Sequence, residues 1–350
     1  IRDDLTEINK KYGDDRRTEI SDASFDMEDE DLIPVEDVII MLTESGYIKR
    51  QSVDTYKAQN RGGRGIKSLT LNEEDSIDTM ISMSTHDYLL LFTNTGRVYR
   101  MRGFNVPNAS RTSKGIPIVN LLTLEKGEQI KTLQPVPKDY KFNDIEFKNL
   151  LFVTKNGIVK RTSVSENINR NGKIAISLKE NDELAFVKLT TGNDEIIIAG
   201  SNGKAVRFNE DQIRVMGRSA AGVTGFNCDG SEVVGVALSN EGKTILSISE
   251  NGYGKRSYLE DYRLTSRGKK GVRTINITEK TGKLVSVKAV NGDEDVMIVS
   301  SSGIMIRTSL QNVGIYGRNT QGVRLINLTD DAKVTKVTLV DHEEEETSEK

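Results

Sequence analysis

The chain of 350 residues contains no tryptophan, one cysteine (Cys228) and two histidines (His86 and His342). A single cysteine excludes an internal disulfide framework and fits a reducing, cytoplasmic compartment. Two histidines so far apart leave almost nothing for zinc binding or histidine-based catalysis. Unbroken apolar runs are short, as at residues 38–42 and 89–92, against the roughly 18 residues a membrane span needs. No secretory signal opens the chain, and no P-loop or paired acidic metal motif occurs in it. We therefore expect no membrane association, no cofactor and no catalysis by this chain alone. It begins at Ile1 and not at Met, so a piece of a longer protein is expected.

What the chain does have is turns and charge. Thirty glycines and 5 prolines occur without a collagen-like period and imply many tight turns. The formal net charge is only -3, which argues against an acidic partner until the charge is located. Residues 1–37 hold 5 basic and 14 acidic side chains, and residues 341–350 hold 1 basic and 6 acidic. The body between them, residues 38–340, is left at +11, a basic segment between two acidic ends.

At the start, Ile1, Leu5, Ile8 and Tyr12 have the 4-3-4 spacing of an amphipathic helical seam. A helical tail over residues 1–20 and an acidic linker over 21–37 are expected. Beyond them the chain repeats itself. An apolar and β-branched run, a polar turn ending in Gly and a second run ending in Arg recur six times, with turn glycines at Gly46, Gly96, Gly157, Gly203, Gly252 and Gly303. Arg stands four residues after every one: Arg50, Arg100, Arg161, Arg207, Arg256 and Arg307. Nineteen residues after the turn, a second Gly appears in five copies (Gly65, Gly115, Gly222, Gly271 and Gly322), and Gly172 takes that role in the shorter third loop. Each copy reads as a β-hairpin. One hairpin cannot bury its own face, so six copies of about 50 residues stack into an all-β, six-bladed, propeller-like disc over residues 38–340.

The basic residues collect in the long loop between the two glycines. Six twenty-residue windows starting at the turn glycines carry +4, +5, +3, +2, +4 and +2, so the remainder of the body is acidic. Equivalent loops on equivalent blades would form a basic band suited to a nucleic-acid backbone. The loops lack dense aromatic interleaving, which favours duplex phosphate contact over stacking on single strands. Such a rim would bend the duplex. For the repeated Arg, alternation leaves two roles open: it shares a face with Ile48 in the first copy and with Met305 in the last, so it either ties blades together or binds phosphate.

The first loop differs from the others. Gln59, Asn60, Arg61, Gly62, Gly63, Arg64 and Gly65 form a basic, glycine-rich run whose paired glycines allow close backbone approach. This heptapeptide resembles the GyrA-box of the C-terminal domain of the DNA gyrase A subunit, usually Q-R-R-G-G-[RK]-G, with Asn60 where the pattern prefers Arg. Arg16, Arg17, Thr18, Glu19 and Ile20 resemble the end of that family's breakage-reunion region. Glu30, Asp31, Leu32, Ile33 and Pro34, and then Tyr47, Ile48, Lys49 and Arg50, resemble its entry into the first blade.

The resemblance implies a six-bladed β-pinwheel that exchanges strands between blades and wraps duplex DNA round its rim with a preferred hand. The full enzyme would use that wrap for ATP-dependent negative supercoiling, with the gyrase B subunit and the N-terminal domain of the A subunit as partners in an A2B2 complex. This part would carry no catalytic residue, would be monomeric in isolation, and would lie in the cytoplasm with the nucleoid. Beside the box, Lys57, Arg102, Arg111, Lys114, Arg170, Lys173, Arg218, Arg267, Lys269, Lys270 and Arg318 join the six repeated arginines as candidate rim residues. Glu343 to Glu346 resemble the family's acidic tails, either a solvated end or a competitor with DNA for the rim; residues 341–350 are expected to be disordered. The alternatives are the C-terminal domain of the topoisomerase IV A subunit and, in another class, a protein-binding propeller.

Overall fold

The computed structural model describes residues 2–13, 29–55, 66–67, 77–138, 141–142, 145–168, 172–328 and 331–342. Residues 1–34 and 35–350 are two separate compact units. In the first, a helix spans Arg2–Tyr12, with Asp3 and Asp4 in its first turn and Lys10 and Lys11 in its last, the charge order that suits the helix dipole. The Gly13 N–H closes it on the Asn9 carbonyl at 2.8 Å. Leu5, Ile8 and Tyr12 of the expected seam are all more than half exposed. Residues 14–28, which hold the rest of the expected helical tail and the first part of the linker, lie outside the described residues.

Among the described residues, the second unit is built from six four-stranded antiparallel sheets and one two-stranded ribbon, Lys141–Phe142 with Ile145–Glu146. The six hairpins are Asp37–Thr43 with Tyr47–Ser52, Tyr88–Thr93 with Arg97–Arg102, Asn149–Thr154 with Ile158–Ser163, Glu195–Gly200 with Lys204–Asn209, Thr244–Ser249 with Tyr253–Tyr258, and Asp295–Ser300 with Ile304–Ser309. All six predicted turn glycines have positive φ, between 75° and 82°. A hydroxyl at the end of the first strand helps set the turn: Thr43, Thr93, Thr154 and Ser300 each accept the N–H four residues on, at 3.1–3.2 Å. A third strand from the same repeat then pairs with the first strand of its hairpin. These are Ile77–Ser84, Ile130–Val136, Leu184–Thr190, Val233–Leu238, Leu284–Val290 and Val334–Val340.

The fourth strand of each blade is two residues long and comes from the next repeat. Ile116–Pro117, Lys173–Ile174, Val223–Thr224, Val272–Arg273 and Val323–Arg324 complete blades one to five. Ile66–Lys67 of the first repeat completes the sixth, with Ile66 opposite Met305. The ring is therefore closed by exchange at every blade, including the one where the two ends of the repeat array meet. The third strands of successive blades also pack on one another all the way round, which places them at the axis and the exchanged strands at the outer edge.

The core is cut into six, one apolar cluster in each interface between blades. Val38 and Ile40 join Leu89 and Leu91 on one side of the first blade, while Ile39 and Met41 join Met297 and Val299 on the other. Both faces of the first strand are thus buried, and it reads as a continuous apolar run instead of alternating with polar residues. Among the described residues, no helix is long and apolar enough to cross a membrane.

Candidate nucleic-acid interface

The long loop of each repeat starts on its own blade and delivers its exchanged strand to the blade before, so all these loops reach the outer edge. The second glycine allows that delivery. Gly271 has φ of +72°, and a Cβ there would stand 2.1 Å from the Ala205 carbonyl oxygen. Gly115, Gly222 and Gly322 press on Ile48, Val159 and Gly254 in the same way, each two residues past a turn glycine. In the shorter third loop the Gly172 N–H bonds the Val98 carbonyl at 2.8 Å, the equivalent position.

The repeated Arg is a tie between blades in the third, fourth and fifth copies, and in the sixth it ties the strands of its own blade. Its main chain pairs with the loop of the following repeat, Arg50 with Asn108, Arg161 with Val215, Arg207 with Leu264 and Arg256 with Ile315. Arg161 reaches Glu210, just beyond the next hairpin, at 3.2 Å. Arg207 bonds Glu195 through Nε at 2.7 Å and donates to the carbonyls of Leu259 and Tyr262. Arg256 donates to the Val313 carbonyl. Arg307 is 2% exposed, with its Nε 2.7 Å from Asp295 and its Nη2 on the Asp341 carbonyl. Of the two roles left open by the sequence, this geometry is that of the tie. Arg161 and Arg307 in particular are buried and charge-paired, so they do not stand on the surface as rim groups. Arg50 and Arg100 are half-buried, and Arg100 lies over the Tyr88 ring.

Other candidates do face outward. Arg111, Lys173, Lys269 and Lys270 are exposed, although Lys270 is 2.7 Å from Asp229. Arg102, Lys114, Arg218, Arg267 and Arg318 are half-buried. Arg102 and Lys114 stack over Tyr88 and Tyr47, each at 4.0 Å from the ring centroid. Lys57, Arg170 and the whole run from Gln59 to Gly65 lie outside the described residues, as do Glu343 to Glu346.

Two features escape the sequence reading. The first is a second periodic Arg, fifteen residues after the turn glycine, at Arg61, Arg111, Arg218, Arg267 and Arg318. Its period is visible in the sequence, but there these residues count only as members of a basic loop. In the structure Arg267 donates to the Thr224 carbonyl at 2.8 Å and Arg318 to that of Arg273 at 2.7 Å, so each reaches from its own loop to the exchanged strand of the loop before. With the Asn227 N–H on Lys269 and the Asn276 N–H on Thr320, the loops of the fourth, fifth and sixth repeats are laced together. Exposed Arg214 and Arg263, eleven residues after their turn glycines, and Arg273 and Arg324 on the exchanged strands, extend the basic set.

The second feature is a set of buried lysines one position before the repeated Arg in alternate blades. Lys49, Lys160 and Lys255 are 1%, 0% and 0% exposed. Lys49 donates to the carbonyls of Arg111 and Ser113, at 2.8 and 3.0 Å. Lys160 donates to those of Ala175 and Arg218, and Lys255 to that of Gly317 and to the Ser257 hydroxyl. Burial lowers all three ammonium groups to about 8. The sequence hides them because Lys in a basic loop-strand region reads as a solvated charge.

The chain matches known proteins over nearly all of the repeat array. The family model described as DNA gyrase C-terminal domain, beta-propeller, matches residues 37–82, 87–137, 148–191, 194–240, 243–291 and 294–341, one segment per blade. The chain is 49% identical over 356 aligned residues to the DNA gyrase A subunit of Staphylococcus aureus strain NCTC 8325, covering 100% of this chain and 40% of that protein. It thus spans two-fifths of the length of this curated relative. A solved DNA gyrase A C-terminal domain superposes with a TM-score of 0.77 at 28% identity, covering 87% of this chain and 99% of that one. A solved C-terminal domain of DNA topoisomerase IV gives 0.63 at 25%, covering 88% and 94%. Six matched blades and 49% identity along the whole of this chain to part of a gyrase subunit lead to one assignment: this chain belongs to the DNA gyrase C-terminal domain family of beta-propellers.

Proposed function

We propose that this chain binds duplex DNA along the outer edge of its blade ring and bends it, as the non-catalytic wrapping part of a gyrase A subunit. The observation that carries the reading is the delivery of the basic loops to one edge, where Arg267 and Arg318 link loop to loop. Lys and Arg arrayed along a curved edge neutralise successive phosphates and release counterions. Smooth bending of a 20–30 base-pair site costs of order 1–6 kcal/mol, which contacts spread over several blades can offset.

In the whole enzyme the chiral wrap would serve ATP-dependent negative supercoiling, with the N-terminal domain of the A subunit and the B subunit as partners in an A2B2 complex, in the bacterial cytoplasm. The chain itself needs no cofactor for this role. Topoisomerase IV is the nearer alternative, since its C-terminal domain shares the fold, and the box residues Gln59 to Gly65 favour gyrase. Nicked circular DNA sealed by ligase with this chain bound should shift in linking number with one sign. An unshifted distribution at saturating protein rejects wrapping.

A further inference from the structure

The three buried lysines are a costly way to decorate a strand. Each ammonium is withdrawn from water and held by main-chain carbonyls, and in each case one of those carbonyls belongs to the basic loop of the following repeat. The peptide units concerned run from Arg111 to Thr112, from Arg218 to Ser219 and from Gly317 to Arg318. A planar trans peptide points its N–H away from its C=O. Drawing these three carbonyls inward onto a lysine therefore turns three N–H groups toward the loop's outer side. Among the described residues, no main-chain carbonyl accepts a hydrogen bond from the N–H of Thr112, Ser219 or Arg318. Thr112 and Ser219 are exposed, and Arg111, Arg218 and Arg318 stand at the same peptides.

We propose that the main-chain amides of Thr112, Ser219 and Arg318 are phosphodiester-binding groups of the rim, and that Lys49, Lys160 and Lys255 are the positioning residues that aim and polarise them. An ammonium bonded to a carbonyl strengthens the donor at the other end of the same peptide. The arrangement occurs in blades one, three and five, where the equivalent positions of the other blades are Tyr99, Val206 and Ile306. Backbone donors of this kind would alternate round the ring with blades whose contacts come from side chains alone.

This inference rests on the DNA-binding reading, and its test separates the two. The probe is a fluorescently labelled duplex DNA titrated with the 350-residue chain by anisotropy, across salt and from about pH 7 to pH 9.5. Lys49→Met, Lys160→Met and Lys255→Met are compared singly and together, with folding checked by circular dichroism. The triple variant should lose about tenfold or more in affinity while keeping the wild-type slope of log affinity against log salt, because neutral amides release no counterions. Wild-type affinity should fall as pH passes about 8, where the buried ammonium groups lose their protons, and the triple variant should lack that fall. The charged groups acting on these lysines include Glu166 and Arg218 on Lys160, and Asp261 and Arg318 on Lys255.

Unchanged affinity and pH profile in a folded triple variant overturn the inference and leave the DNA-binding reading intact, as does a salt slope lowered by about three, which would make the lysines direct phosphate contacts. No binding by the wild-type chain overturns both. A second measurement does not depend on how the variants fold. In wild-type protein labelled with nitrogen-15 at Thr, Ser and Arg, the amide signals of Thr112, Ser219 and Arg318 should move downfield on adding duplex. Rim arginine side-chain signals that move while these three amides stay fixed would also overturn the inference.

Discussion

Arg307 and Asp295 form an ion pair that water does not reach: Nε and Oδ2 are 2.7 Å apart, and both side chains are fully buried. His342 Nδ1 meets the other carboxylate oxygen of Asp295 at 2.7 Å. The pair joins the two strands of the last hairpin, and the Arg307 bond to Asp341 secures the end of the last third strand. Removing one partner strands the other charge in the core. Arg307→Ala should therefore lose about 3–5 kcal/mol of stability, read by urea denaturation. A loss under about 1 kcal/mol would show that the pair is not a structural tie.

The second periodic Arg should behave in the opposite way. Arg111→Ala, at an exposed position, should leave stability within about 0.5 kcal/mol of wild type. It should also lower the salt slope of duplex binding by about one. A slope that stays at the wild-type value would remove Arg111 from the phosphate contacts.

Gly271 is where a side chain cannot be accepted. With φ of +72° and the Ala205 carbonyl 2.1 Å from the site of a Cβ, Gly271→Ala combines about 1–3 kcal/mol of backbone strain with a clash against main chain. The exchanged strand Val272–Arg273 should then detach, seen as faster amide exchange at Lys204 and Ala205, its partners. Gly217→Ala, with nothing within 4 Å and no positive φ, is the control and should be near neutral. Equal protection in the two variants would refute the role given to the second glycine.

The buried lysines should make stability and binding respond to pH with opposite signs. Their folded values are about 8, while an unfolded chain holds lysine protons to about 10.4. Between those limits the unfolded state binds more protons, so stability rises with pH. The contribution is complete above the unfolded value and is lost as pH falls through about 8. The urea midpoint should climb from about pH 8 to pH 10, while affinity for duplex drops. The climb should shrink in the triple methionine variant to what Lys288, which burial also lowers to about 8, still supplies; a climb of unchanged size there would assign the effect to other groups.

Much of this is legible in the sequence, and for identifiable reasons. The hairpins announce themselves because a turn at φ near +80° needs Gly, so six glycines at near-regular intervals mark six blades. The second glycine is equally readable, since only Gly lets the exchanged strand touch the neighbouring hairpin. The alternation expected of the strands fails for those such as Asp37–Thr43, because a blade packed on both faces has no wet side. The role of the repeated Arg stays open for a related reason: period-two spacing gives the face on which Arg307 lies, but not the presence of Asp295 opposite it. Lys160 is illegible because burial of an ammonium depends on carbonyls from a loop nearly sixty residues away, at Arg218, and no local pattern encodes that. The same limit applies to Arg267, whose acceptor Thr224 lies in the loop of the preceding repeat.

Exchange of the fourth strand also decides how the ring carries load. Each rim loop is anchored at one end in its own hairpin and at the other on the preceding blade, where Val272, for example, pairs with Ala205. An outward pull on such a loop, such as the proposed wrap would exert, is shared between two blades and passed along the circumference. Closure of the sixth blade by Ile66 and Lys67 leaves that circumference without a free end, so the ring resists the pull as a hoop and not as six separate sheets.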